Sequence, residues 1–122
     1  MAYDGDVSLF QRIIAPAVQP LAESRAQHVI RTARALIADE AHWRRGDFVG
    51  FDVDGQPSYC LVGALRFAHS GNARRAGTAG ASKFVARAVR ERARVGIQEF
   101  NDGCAPHEEI LAVLDRAYEL AA

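Results

Sequence analysis

The sequence predicts a small, mainly α domain of four to five helices with one short two-stranded β-ribbon near residues 48–59. Three observations predict it. Apolar residues recur at three- and four-residue steps in several separate segments, as they do in helices with one buried side. A single Asp54-Gly55 pair lies between two short β-prone stretches, as in a hairpin. The chain has 122 residues, 49% of them hydrophobic and 25% charged, enough for one core and too few for two.

Residues 1–20 read as an arm ahead of the helical domain 21–122. Asp6 can cap a short helix over 7–14, with Leu9, Phe10, Ile13 and Ile14 on one side, before Pro16 and Pro20 interrupt it. Such an arm packs on its own domain or on a neighbouring chain. The first long helix is expected over 21–39. Ala22, Ala26, Val29, Ile30, Ala33, Leu36 and Ile37 form its apolar stripe, and Ser24, Gln27, Arg31 and Arg34 face away. Residues 40–48 follow as a loop, with Trp43 as a lid on the core and Gly46 in a turn. The Asp54-Gly55 pair favours a type I′ turn, and Pro57 confines its strand to an edge.

Residues 60–68 are apolar nearly all round, as in a helix buried on several sides, with Cys60, Leu61, Val62, Ala64 and Leu65 inside. A Gly- and Arg-rich loop over 70–80 is expected to be mobile. Ser82 can cap a helix over about 83–95, with Phe84, Val85, Ala88 and Val89 on its apolar side and Gly96 weakening its end. Asn101, Asp102 and Gly103 read as a turn. Pro106 opens the last helix, where Glu108 and Glu109 suit the positive end of the dipole. Ile110, Leu111, Leu114, Ala117, Tyr118 and Ala121 form its apolar side.

Charge is balanced overall, 15 basic against 15 acidic, which excludes a strongly basic DNA-coating protein. It is uneven locally: −2 over 1–60, +6 over 61–100 and −4 over 101–122. At 100° per residue, Lys83, Arg87, Arg90 and Arg94 fall within about 60° of one another, and so do Glu108, Asp115 and Glu119 within about 40°. A basic and an acidic row of similar length can pair within the chain, between two copies, or with separate partners. Arg92 falls on the apolar side of its helix, so either the helix ends earlier or a carboxylate holds it. No apolar run is long enough for a membrane span, and the first 30 residues lack the pattern of a secretory signal. Two cysteines are too few for a disulfide scaffold, so a reducing cytoplasm is expected.

Several elements resemble a small bacterial and phage domain family of unknown function. They are Ala35-Leu36-Ile37-Ala38 followed by Trp43 and Gly46, and Tyr59-Cys60-Leu61-Val62-Gly63-Ala64-Leu65. Further along come Phe100-Asn101-Asp102 and His107-Glu108-Glu109-Ile110-Leu111 leading to Leu114-Asp115-Arg116-Ala117. The resemblance covers roughly residues 30–120. It implies no activity, and it nominates Cys60, Asn101, Asp102 and His107 for scrutiny.

Cys60 stands where a strand gives way to a helix, a place that lowers a thiol pKa. With His107 as base and Asn101 or Asp102 to orient it, it would make a cysteine-dependent hydrolase or transferase. The plainer reading is a small buried side chain beside Gly63 and Ala64. Cys60, Cys104 and His107 are a conceivable metal set. His69, nine residues beyond Cys60, would lie about 13 Å away along one helix and cannot share the ion. Asn101 and Asp102 serve more simply as turn residues. The sequence therefore favours a non-enzymatic module that binds a protein partner or itself, through Lys83, Arg87, Arg90, Arg94, Glu108, Asp115 and Glu119. The cysteine-dependent enzyme comes second, and a weak nucleic-acid binder through the basic row of 83–94 comes third. No metal and no cofactor are expected.

Overall fold

The computed structural model describes residues 22–103 and 105–122. The arm at 1–20 and Cys104 lie outside the described residues. Among those described are five helices and one antiparallel ribbon: α1 (Arg25–Leu36), β1 (Val49–Phe51), β2 (Pro57–Tyr59), α2 (Leu61–Ser70), α3 (Ala81–Arg90), α4 (Ile97–Asp102) and α5 (His107–Leu120). This is the mainly α domain with a short ribbon that the periodicity predicts.

α1 starts later than Pro20 suggests, because Ser24 is its cap. The Ser24 hydroxyl accepts from the Gln27 N–H at 3.0 Å, and the Gln27 side-chain oxygen accepts from the Ser24 N–H at 3.0 Å. This reciprocal box satisfies two of the four donors that a helix start leaves open. The same side chains reach the end of α5. Ser24 Oγ donates to the Ala121 carbonyl at 3.1 Å, and Gln27 Nε2 donates to the Tyr118 carbonyl at 3.1 Å. Ser24 and Gln27, expected to face solvent, thus join two helix ends, and Gln27 is buried.

The ribbon pairs Val49 with Tyr59, Gly50 with Ser58 and Phe51 with Pro57. Its turn is closed by the Gly55 N–H on the Asp52 carbonyl at 3.0 Å. The Asp52 carboxylate also accepts from the N–H groups of Asp54 and Gln56, each at 2.9 Å. Gly55 has φ +78° and Asp54 keeps a negative φ, so the type I′ turn is not formed. Trp43 bridges Tyr59 on the other side of β2, and the Arg44 N–H donates to the Tyr59 carbonyl at 3.0 Å. The ribbon leans on α2 through a missing side chain. A Cβ on Gly63 would fall 1.9 Å from the Phe48 carbonyl oxygen, so only glycine lets the two backbones meet.

α2 buries Leu61, Gly63, Ala64 and Leu65, while Val62, expected inside, is only half-buried. The 70–80 loop is tethered: Ala73 is buried, and Arg74 grips the Asp47 carboxylate at 3.0 and 3.1 Å. α3 begins before Ser82. Thr78 Oγ1 accepts from the Ser82 N–H at 3.2 Å, and Gly80, at φ +80°, turns the chain into the helix. α3 also ends at Arg90 rather than near 95. Both explanations for Arg92 hold together, since the helix has ended and Arg92 is bonded to the Glu109 carboxylate. Arg94 therefore lies beyond the helix, and the basic row on α3 is Lys83, Arg87 and Arg90.

Residues 97–102, expected as an irregular end and a turn, form α4. The core runs between α1, α2, α3 and α5, with α5 packed chiefly on α3 and α1, and α1 on α2. Ile30, Ile37, Leu61, Leu65, Ile110 and Leu114 are fully enclosed in it. Among the described residues, no helix is long and apolar enough to cross a membrane.

Candidate functional site

Three of the four nominated residues, Cys60, Asn101 and Asp102, lie around the start of α2, and Asn101 among them is 0% exposed. α4 delivers it to the start of α2. Its oxygen accepts from the indole N–H of Trp43 at 2.7 Å and from the Leu61 N–H at 2.9 Å. Its NH2 donates to the Arg44 carbonyl at 3.1 Å and to Asp102 Oδ1 at 2.9 Å. A carboxamide offers two acceptor and two donor positions, and all four are filled. Asn101 is therefore a junction of α4, α2 and the Trp43–Arg44 segment, with no valence left for a substrate.

Asp102 continues the junction to the solvent side. Its carboxylate accepts from the Gly46 N–H at 2.8 Å and from Gln98 Nε2 at 2.9 Å. Loss of water around the carboxyl pushes its pKa up. Hydrogen bonds from Gln98, Gly46 and Asn101 outweigh this and hold it below the usual aspartate range.

Cys60 is the N-cap of α2, and its Sγ accepts from the Gly63 N–H at 3.3 Å. The helix start was expected to favour the thiolate. The structure reverses that: burial pushes the thiol pKa up, and the N–H groups of Gly63 and Val62 and the Gln98 side chain do not overcome it. His107 opens α5 and bonds elsewhere. Its Nε2 donates to the Ile37 carbonyl at 2.6 Å, beyond the end of α1, and its ring packs at 5.6 Å on Trp43. Cys60 and His107 share no hydrogen bond. The structure brings Cys60, Asn101 and Asp102 together around the start of α2 and commits His107 to the α1–α5 junction. Cys104 of the conceivable metal set lies outside the described residues. Among those described, no three His, Cys, Asp or Glu side chains converge as a metal set.

The charged rows do not pair with each other inside the chain. Asp115 is bonded to Arg34 at 2.6 Å, and Glu119 to Arg116 at 3.0 Å. Glu108 stands exposed in the first turn of α5. Arg116 also grips Glu91 at 2.8 and 3.1 Å. Lys83, Arg87, Arg90 and Arg94 are exposed and have no carboxylate partner among the described residues. A cleft of about 520 Å³ opens beside Arg87 and Arg90, over Ala86, Val95 and Gly96.

Two features escaped the sequence reading. Arg44 Nη1 occupies the place a Gly50 Cβ would take, 1.3 Å from it, and Arg44 Nε is buried without an acceptor among the described residues. A glycine inside a strand was the available signal, since it marks a close approach. At the ribbon tip, Phe51 is 73% and Val53 101% exposed.

Fold and site together define a small mainly α domain knit by a saturated asparagine junction, with its polar and apolar freedom on the outside. The chain belongs to the family of unknown function DUF6197, whose model matches residues 22–120. No curated protein and no solved structure matches it.

Proposed function

We propose that this domain is a non-enzymatic interaction module that associates with a second copy of itself through the tip of its ribbon. The observation that carries the reading is the exposure of Phe51 and Val53, two large apolar side chains within three residues. Side chains of this kind, left in water and close together, favour a protein surface. The ribbon under them is held from below: Arg66 lies 4.6 Å over the Phe48 ring, and Gly63 admits the Phe48 carbonyl against α2. The side chains capable of chemistry are meanwhile engaged in the fold, with Cys60 buried and His107 and Asn101 bonded to backbone. Of the charged rows, Lys83, Arg94 and Glu108 stand exposed toward a protein partner, whereas Asp115 and Glu119 are occupied. Zero net charge argues against nucleic acid, and sparse cysteine fits a reducing cytoplasm.

Sedimentation velocity of the full chain over a wide concentration range tests the reading. The wild type is expected to show a concentration-dependent rise in mass that Phe51→Ser/Val53→Ser abolishes, with unchanged helical circular dichroism. A wild type that stays monomeric throughout, or a variant that associates equally well, overturns it.

A further inference from the structure

We infer that the cleft beside the C-terminal half of α3 is the seat of this chain's own residues 4–10, held by ion pairs from Asp4 and Asp6 to Arg87 and Arg90. This does not rest on the ribbon tip, which lies on a different element. Arg87 and Arg90 are three residues apart on α3, both exposed and without a carboxylate partner among the described residues. Like charges at that spacing repel, so a carboxylate placed between them relieves both. Glu91, which also lines the cleft, is already engaged by Arg116. The floor of Ala86, Val95 and Gly96 is small and open, suited to an apolar side chain.

The 4–10 segment carries the complementary pattern. Asp4 and Asp6 are followed by Leu9 and Phe10, with no basic residue before Arg12. Its point of departure is also near. Ser24 is bonded to Ala121 at the end of α5, and Arg116 lies five residues back, about 7.5 Å along the helix. Arg116 in turn holds Glu91 at the cleft. Eleven residues separate Phe10 from Ala22, and they span up to about 40 Å. The other groove near that departure point, between α1 and α5, is a poorer seat. It measures about 190 Å³, its floor residues Ile30 and Leu114 are already enclosed, and its Arg34 and Asp115 pair with each other.

Paramagnetic relaxation in the full chain tests this. A nitroxide is attached at position 83 by Lys83→Cys in a Cys104→Ser background, Cys60 being buried. The amide signals of residues 4–10 are expected to broaden. Arg87→Glu/Arg90→Glu should abolish the broadening, and adding Asp4→Arg/Asp6→Arg should restore it. With the nitroxide reduced, α1 and α5 amide shifts that match the parent verify that each variant is folded. Sharp 4–10 signals in the parent protein overturn the inference, as does broadening that survives the charge reversal at 87 and 90. A mixture of spin-labelled and isotope-labelled copies checks the source, and broadening that arises only between copies also overturns it. Phe51→Ser/Val53→Ser should leave the broadening intact, so this result and that for ribbon-tip association are read separately.

Discussion

The indole nitrogen of Trp43 and the side-chain oxygen of Asn101 meet at 2.7 Å in the core, across 58 residues of sequence. The same oxygen takes the Leu61 N–H, so one atom terminates two buried donors. Asn101→Ala leaves both without an acceptor, at roughly 1–3 kcal/mol each. Urea unfolding of this variant should show a much lower midpoint than Asp102→Asn, whose carboxylate faces water. Equal losses would mean that the junction is not concentrated on Asn101.

Gly63→Ala should be among the most damaging single-methyl changes in the chain. Its Cβ would lie 1.9 Å from a backbone oxygen that cannot step aside. Gly71→Ala meets nothing within 4 Å and is penalised only by its φ of +77°, at roughly 1–2 kcal/mol. Thermal melts of the two variants should differ clearly, with Gly63→Ala far lower.

Leu65 is fully enclosed in α2. Leu65→Ala removes buried methyls and leaves a cavity, at about 2–5 kcal/mol. A loss below about 1 kcal/mol on chemical denaturation would contradict the enclosure seen here.

Cys60 should behave as an inert thiol. With Cys104→Ser to remove the other sulfur, alkylation of the native protein near neutral pH should be far slower than of the urea-unfolded chain. Burial and an upward-shifted pKa both act in that direction. Fast native labelling at pH 6 would show an accessible thiolate instead.

Acid should loosen the contact between the start of α1 and the end of α5. Hydrogen bonds from Arg31 and Tyr118 lower the Glu23 pKa from 4.5 to about 2. A depressed carboxylate stabilises the fold above its unfolded pKa, and that contribution is lost as pH falls through the folded value. The melting temperature should therefore fall between pH 4.5 and 2 more steeply in the wild type than in Glu23→Gln. Parallel curves would remove Glu23 from the acid response.

The sequence exposed the fold through its periodicities. Stripes such as Val29, Ile30 and Ala33, or Ile110, Leu114 and Ala117, repeat because one helix side is buried, and local pattern carries that information. Cap positions were less legible. Ser24 and Gln27 look like ordinary solvent-facing residues until α5 arrives to use them, and the Thr78 hydroxyl reaches the Ser82 N–H across the turn at Gly80, the N-cap of α3. Of the candidate residues, Cys60, Asn101 and Asp102 lie near one another at the start of α2. Their chemistry was not readable, because Asn-Asp-Gly signals a turn as readily as the end of α4. Whether an asparagine is saturated depends on partners such as Trp43, 58 residues away. His107 shows the same limit, since its carbonyl partner, Ile37, is 70 residues away.

The shared cap at Ser24, Gln27, Tyr118 and Ala121 makes the described domain nearly a closed ring of chain. A short flexible linker from Ala122 to Ala22 would complete the circle without crossing the core. New ends could then be opened at the exposed Asp54-Gly55 turn, since surface turns are where permutation is tolerated. Such a permuted protein would keep every helix in place while severing the ribbon, and so would separate what the ribbon does from what the helices hold.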